Sequence, residues 1–279
     1  MSTSLTTTLY NRLPNPLARL LIGNKLTRRF AQRFVRGQDV VIQTGVGKGL
    51  WINCDRSNSA YGLGDNEMVV QRVFESQLQP GDVLFDVGAN IGFFTVISAK
   101  LVGPQGHVYA FEPLPDNFSA LSHNIALNDF SNVTLINSAV ADESGQGELL
   151  VAYYSGGSSL STVATPPPDL KESMVVQTVA VDDFLADGSK RRPKMVKIDV
   201  EGAELTVMRG MVETIRRDHP VILYEIDDAD SAEYERKAKE CADFLIGFGY
   251  RITPITGSYQ DIDWHVGHFL AVKGDGPEG

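Results

Sequence analysis

The apolar positions change period along the chain. Apolar runs over 40–44 and 49–53, joined through Gly45 and Gly47, predict a hairpin. Val70, Val73, Phe74 and Leu78 then recur at helical spacing, which predicts a helix over 66–79 ended by Pro80 and Gly81. From Val83 onward strands and helices alternate. Strands are expected at 83–85, 107–111, 133–137, 195–199 and 221–225. Helices are expected over 93–101, around Phe118, Leu121 and Ile125, and through Tyr234, Ala238, Cys241, Leu245 and Phe248. Two strands near 148–153 and 175–179 belong to an insertion, and strands at 250–253 and 269–272 close the series. Such alternation predicts an α/β fold, a mostly parallel sheet with helices on both faces.

In sheets of this kind ligands sit at the carboxyl ends of the strands, and polar residues gather there. The first strand of the series opens into Asp86-Val87-Gly88-Ala89-Asn90-Ile91-Gly92 and a helix. Glycine lets backbone approach a ligand closely, and Asn tolerates left-handed conformations. Glu112 closes the next strand 20 residues after Gly92, placed to accept hydrogen bonds from ribose hydroxyls. Strand, glycine turn, helix and spaced acid together predict a nucleotide-type cofactor. Asp86 bears on which one. A carboxylate there opposes pyrophosphate and suits a ligand carrying an ammonium and a sulfonium, which favours S-adenosyl-L-methionine over NAD.

Three ordered segments carry a family resemblance. They are 86–92, then Ala110-Phe111-Glu112-Pro113 followed by Asn117 and Asn124, then Lys197-Ile198-Asp199-Val200-Glu201-Gly202-Ala203-Glu204. Together they closely resemble the FkbM-type S-adenosylmethionine-dependent methyltransferases, over about residues 60–272. The resemblance implies a class I methyltransferase (Rossmann-like) sheet of seven strands with the last antiparallel, and O-methylation of hydroxyls on sugars, glycans or secondary metabolites. It also implies that Asp86, Gly88, Asn90 and Gly92 line the methionine end, that Glu112 holds the ribose, and that Ser138 and Ala139 contact adenine. Glu67 matches an acidic family position and is expected at the methionine amino group; its alternative is a helix-start charge favoured by the dipole. The 156–160 loop resembles a family Ser-rich lid, while Asn117 and Asn124 are taken as structural.

Composition narrows partners and place. The chain has 279 residues with a net charge of −10, against the phosphate attraction on which nucleic-acid binding depends. The seven basic residues among 1–37, with no acid, include a basic amphipathic helix around Leu26, Phe30 and Phe34. Packing on the core is the first reading of that helix, and docking to an anionic membrane surface or carrier is the second. Two cysteines, Cys54 and Cys241, without metal spacing, and no apolar run long enough to span a bilayer, place the chain in the cytoplasm as an expectation. Two organisational parts are expected, an extension over 1–65 and a cofactor-binding domain over 66–279, forming one structural unit. Oligomeric state is left open.

A methyl sulfonium is already activated, so the protein must align the acceptor and receive its proton. Asp199 and Glu201, alternating with Lys197 along the strand expected at 195–199, are the candidate catalytic acids, with Glu201 as general base and Lys197 as a structural ion pair. His265 and His268 rank below them. The order Asp199, Glu201, Glu225, Asp227, Asp228 is similar to macrocin-type sugar O-methyltransferases, which makes Asp199 and Glu225 candidate ligands for Mg2+. Two other classes stay open: an NAD-dependent oxidoreductase or epimerase, and a catalytically idle cofactor-binding partner.

Overall fold

A computed structural model describes residues 35–54, 57–152, 158–160, 170–257 and 264–274. The basic amphipathic helix expected around 26–34 lies outside them. The expected hairpin is β1 (Asp39–Val41) against β2 (Trp51–Asn53), followed by a short helix α1 (Ala60–Leu63) and by α2 (Met68–Gln77). Then come β3 (Val83–Val87), α3 (Phe93–Val102), β4 (His107–Phe111), α4 (Pro115–Ala126) and β5 (Val133–Ile136). The insertion contributes β6 (Ala139–Val140), β7 (Gly145–Ala152), β8 (Ser159–Leu160), β9 (Leu170–Val179) and α5 (Val181–Phe184). The chain returns through β10 (Met195–Ile198), α6 (Glu204–Arg209), α7 (Val212–Asp218) and β11 (Val221–Asp228). It finishes with α8 (Ser231–Gly247), β12 (Tyr250–Ile255) and β13 (His265–Lys273).

Seven strands form the main sheet in the order β12-β13-β11-β10-β3-β4-β5. The neighbours from β11 to β5 pair in parallel, and β13 runs antiparallel to both β11 and β12. Two-residue periodicity sends alternate side chains to opposite faces. Leu84, Val108, Met195 and Leu223 join the core beneath the hairpin, α2 and α3. Phe85, Phe111, Val196, Ile198, Ile222 and Tyr224 join the core on the other face, with residues of α6, α7 and α8. Val40, Ile42 and Ile52 of the hairpin segment lie in the first of these cores, so the extension shares apolar packing with the sheet.

The insertion builds a separate four-stranded sheet, β6-β9-β7-β8. Its long strands exceed the expected spans because polar residues at their outer ends, such as Gln146 and Lys171, mask the apolar signal. Of the loop read as a lid, 156 and 157 lie outside the described residues. Ser159 and Leu160 are strand, paired with Leu150 and Leu149, and Leu160 is buried.

The strand expected over 195–199 stops at Ile198. Asp199 keeps one sheet-like hydrogen bond, from its N–H to Val87 O at 3.1 Å. Glu201 has left the strand for a turn with φ 55°, next to Gly202 at φ 101°. The alternation argument for Glu201 is thereby corrected, because a tight turn, not the pleat, sets its direction.

Candidate active site

The turn after β3 is fixed from three sides. Gly88 N–H and Ala89 N–H both donate to Phe111 O, which binds the turn to the end of β4. Asn90, at φ 52°, donates its N–H to Glu112 Oε2 at 2.8 Å, while Leu114 N–H reaches Oε1 at 2.9 Å. Glycine turn and expected ribose acid are therefore one hydrogen-bonded unit; Asn117 Nδ2 also donates to Oε1 at 3.5 Å, so Oε2 is the oxygen that retains a lone pair for a ligand. Gly88, at φ 76°, is required on two counts: a Cβ there would lie 1.8 Å from Asp199 O, and its backbone is left-handed. Burial lifts Glu112 from 4.5 to about 7, against the pull of the two N–H groups, Asn117 and Lys197.

Asp86 is wholly buried, and its contacts run inward. Thr95 Oγ1 donates to its Oδ2 at 2.5 Å, and Lys197 Nζ lies 3.3 Å from Oδ1. Lys197 also donates to Gly88 O at 2.9 Å and sits 3.2 Å from Asp199 Oδ2. Burial pulls this ammonium down, but Asp199 and Asp86 outweigh it and hold it charged. Lys197 is thus a clamp joining β3, its turn and the end of β10. Asp86 is neutralised within the fold, so negative charge available to a cationic ligand comes from acids further along the strand ends.

Those acids converge. Burial raises Glu201 well above the usual carboxylate range, and Asp227, Asp199, Glu225 and Glu204 reinforce it. Asp227, itself raised by burial, hydrogen-bonds to Glu201 and accepts Trp264 Nε1–H at 2.7 Å. Two carboxyls joined this way hold a proton between them. Glu204, buried and raised to about 7 chiefly by burial, accepts Gly202 N–H at 2.9 Å and shapes the Glu201 turn. On the other side, Glu225 Oε2 lies 2.6 Å from His268 Nε2, which is also 3.4 Å from Glu67 Oε2. Burial alone would lower the imidazole, yet the two carboxylates lift it to about 10.

The structure thus brings together Asp86, Gly88, Asn90, Glu112, Asp199 and Glu201 around β3, β4 and β10. Ser138 is half-buried beside buried Ala139 beyond β5, where Asn137 Nδ2 donates to Glu112 O at 2.8 Å. Gly92 caps α3 at φ 89°. Glu67 adopts a left-handed conformation just before α2, with Oε1 taken by Asn66 Nδ2 at 2.6 Å and Oε2 near His268. For the expected metal pair, Asp199 sits with Lys197 whereas Glu225 groups with Glu67 and His268. The sequence reading did not single out Thr95, Glu204 and Asn137 as supports, and it weighed His268 as a base ranked below Glu201 without placing it between Glu225 and Glu67. Only the alternation of β13 against β11, which pairs His268 with Glu225, exposes it.

A seven-stranded sheet of this order, with one antiparallel strand and a glycine turn bonded to an acid on the next strand, defines the class I methyltransferase fold. The profile of the methyltransferase FkbM domain matches residues 86–252, and the chain belongs to that family. It is 31% identical over 157 residues to the hexuronic acid methyltransferase AglP of Haloferax volcanii, covering 56% of this chain and 61% of AglP. It is also 31% identical over 181 residues to the 31-O-demethyl-FK506 methyltransferase FkbM of Streptomyces tacrolimicus, covering 56% and 69% of the two chains. The alignment thus spans less than two thirds of AglP. The crystal structure of a methyltransferase FkbM from Methylobacillus flagellatus KT overlays with a TM-score of 0.48 at 14% identity, covering 76% of this chain and 52% of that one.

Proposed function

We propose that the protein transfers a methyl group from S-adenosyl-L-methionine to a hydroxyl of a sugar, glycan or secondary metabolite. The observation that carries the reading is the bonded unit of the Gly88–Asn90 turn and Glu112, next to converging acids at the ends of β10 and β11. It suits a ribose beside a cationic group. Gly88, Asn90 and Gly92 would border the methionine portion, Glu112 would accept from the ribose, and Ser138 and Ala139 would meet the adenine. Asp86 supports the turn through Lys197. Glu67 is left out of this set, because its carboxyl groups with His268 and Glu225. When bound, the sulfonium supplies an activated methyl.

The chain's own part is to hold the acceptor oxygen and take its proton. Glu201 is the proposed base. Its carboxyl is hydrogen-bonded to Asp227, and when the two hold a single proton the pair carries one negative charge and can take the acceptor's proton as its O–H bond breaks and the O–CH3 bond forms. Asp199 orients the acceptor. Mg2+ at Asp199 and Glu225 does not fit this arrangement, since the Lys197 ammonium already supplies a cation 3.2 Å from Asp199 and Glu225 is grouped with an imidazole, which Mg2+ disfavours, and no step is routed through it. Of the relatives AglP and FkbM, named for a hexuronic acid and for 31-O-demethyl-FK506, the second supports oxygen as the acceptor atom.

Calorimetric titration with S-adenosylhomocysteine and, separately, NAD+ tests the cofactor. Micromolar binding of the first alone is expected, and binding of NAD+ alone would remove the reading. In a labelled-methyl assay over sugar acceptors, Glu201→Gln is expected to keep S-adenosylhomocysteine affinity while kcat falls about 10²- to 10⁴-fold. Unchanged kcat would exclude Glu201 as the base.

A further inference from the structure

We propose that Glu67, Glu225 and His268 form a binding site for a divalent transition-metal ion of the zinc type, beside the cofactor site and separate from it. Among the described residues this is the group whose ligand atoms converge, all lying within 4.8 Å of one another. One imidazole nitrogen and two carboxylate oxygens form a borderline donor set. It suits zinc, manganese or cobalt better than Mg2+, which prefers oxygen and water.

The geometry is close to that of a loaded site. Ligand bonds of about 2.0–2.2 Å at tetrahedral angles place ligand atoms roughly 3.3–3.6 Å apart. His268 Nε2 lies 3.4 Å from Glu67 Oε2, already at that spacing. Its 2.6 Å approach to Glu225 Oε2 needs only to open by less than an ångström. Backbone structure fixes all three donors. Glu225 and His268 are directly opposed on β11 and β13, so their side chains leave the same face of the sheet. Glu67 is delivered from the edge of α2 by a left-handed backbone, φ 45° and ψ 49°, a conformation that costs a non-glycine residue about 1–2 kcal/mol. Strain of this kind persists where the surroundings over-determine it.

The support behind the ligands has the form metal sites need. Asn66 Nδ2 donates to Glu67 Oε1 at 2.6 Å, leaving the other oxygen toward His268, and Asn58 Nδ2 in turn donates to Asn66 Oδ1 at 3.1 Å. Gln71 Nε2 holds Asn66 O at 2.6 Å, so the loop carrying Glu67 is strapped down. The side chains of His268 and Glu67 are 5% and 7% exposed, and that of Glu225 13%, so the three donors are shielded from competing water.

The test uses the full chain, stripped with EDTA and titrated with Co2+ while its visible absorption is followed, then with Zn2+ in competition. One equivalent of Co2+ per chain with a low-coordinate spectrum, displaced by Zn2+, is expected. His268→Ala and Glu225→Gln should each weaken that binding at least about tenfold, with circular dichroism confirming the fold. No stoichiometric binding by the wild type overturns the proposal. So does equal binding by both folded variants. S-adenosylhomocysteine titrated into the same samples separates this proposal from the function above: its binding to a protein that takes up no metal sinks the metal site alone, and metal uptake without it sinks only the cofactor reading.

Discussion

Gly88 shows how one residue can carry both local and long-range constraints. Its left-handed φ excludes a side chain on torsional grounds, and its contact with Asp199 O excludes one on steric grounds. Gly88→Ala should therefore push the end of β10 away from the turn, destabilising the protein by about 2 kcal/mol or more in chemical denaturation and abolishing S-adenosylhomocysteine binding. Glu112 carries a pH signature. Its folded pKa, about 7, is raised above the ordinary 4.5, so the native state binds more protons than the unfolded chain between those values. Its contribution is fully present below 4.5 and is lost as pH rises through 7. Glu112→Gln should flatten that part of the stability profile in thermal melts from pH 4 to 8. An unchanged slope would show that Glu112 is ionised well below 7. Among residues, Gly88, Asn90 and Glu112 were legible in the sequence because their types and spacing follow local backbone needs. His268 was not, since nothing within its own strand distinguishes a packed histidine from one bridging two carboxylates.

Elements raise the question of why the hairpin belongs to the site. Asn124 of α4 accepts Asn53 N–H at 2.6 Å and donates to Asn53 O at 3.0 Å and to Ile91 O at 2.7 Å. One amide thus ties β2 to the glycine turn. Asn124→Ala leaves these backbone groups unpaired in a buried setting, at about 1–3 kcal/mol. Urea unfolding should show that loss, and S-adenosylhomocysteine affinity should fall with it; an unaltered affinity would mean the turn holds its form without the hairpin. Strands β3, β4 and β5 followed their apolar runs closely, because buried parallel strands have little polar content to confuse the pattern. The end of β10 did not, since Asp199 looks like another alternating position until the Glu201–Gly202 turn redirects the chain.

Across the whole molecule the governing fact is charge. The chain carries −10, and Asp199, Glu201, Glu225 and Asp227 crowd together at the strand ends, where burial and neighbouring acids raise the last three and a further carboxylate would meet the same repulsion. A neutral hexoside should therefore be preferred to the matching hexuronate by at least about tenfold in kcat/KM, because like-charge repulsion of only about 1.4 kcal/mol gives that factor. Preference for the uronate would place the acceptor away from these acids. Among the described residues no helix is long and apolar enough to cross a membrane.

By itself the sequence determined the alternating elements, the two-faced sheet, the glycine turn with its spaced acid and the family those motifs mark, all of which depend on residues near one another in the chain. Only the tertiary structure decided that Asp86 faces inward to Lys197, that Glu201 lies in a turn against Asp227, and that Glu67, Glu225 and His268 meet. Those three come from segments more than 150 and more than 40 residues apart, and strand order and register, which local pattern does not encode, bring them within bonding distance.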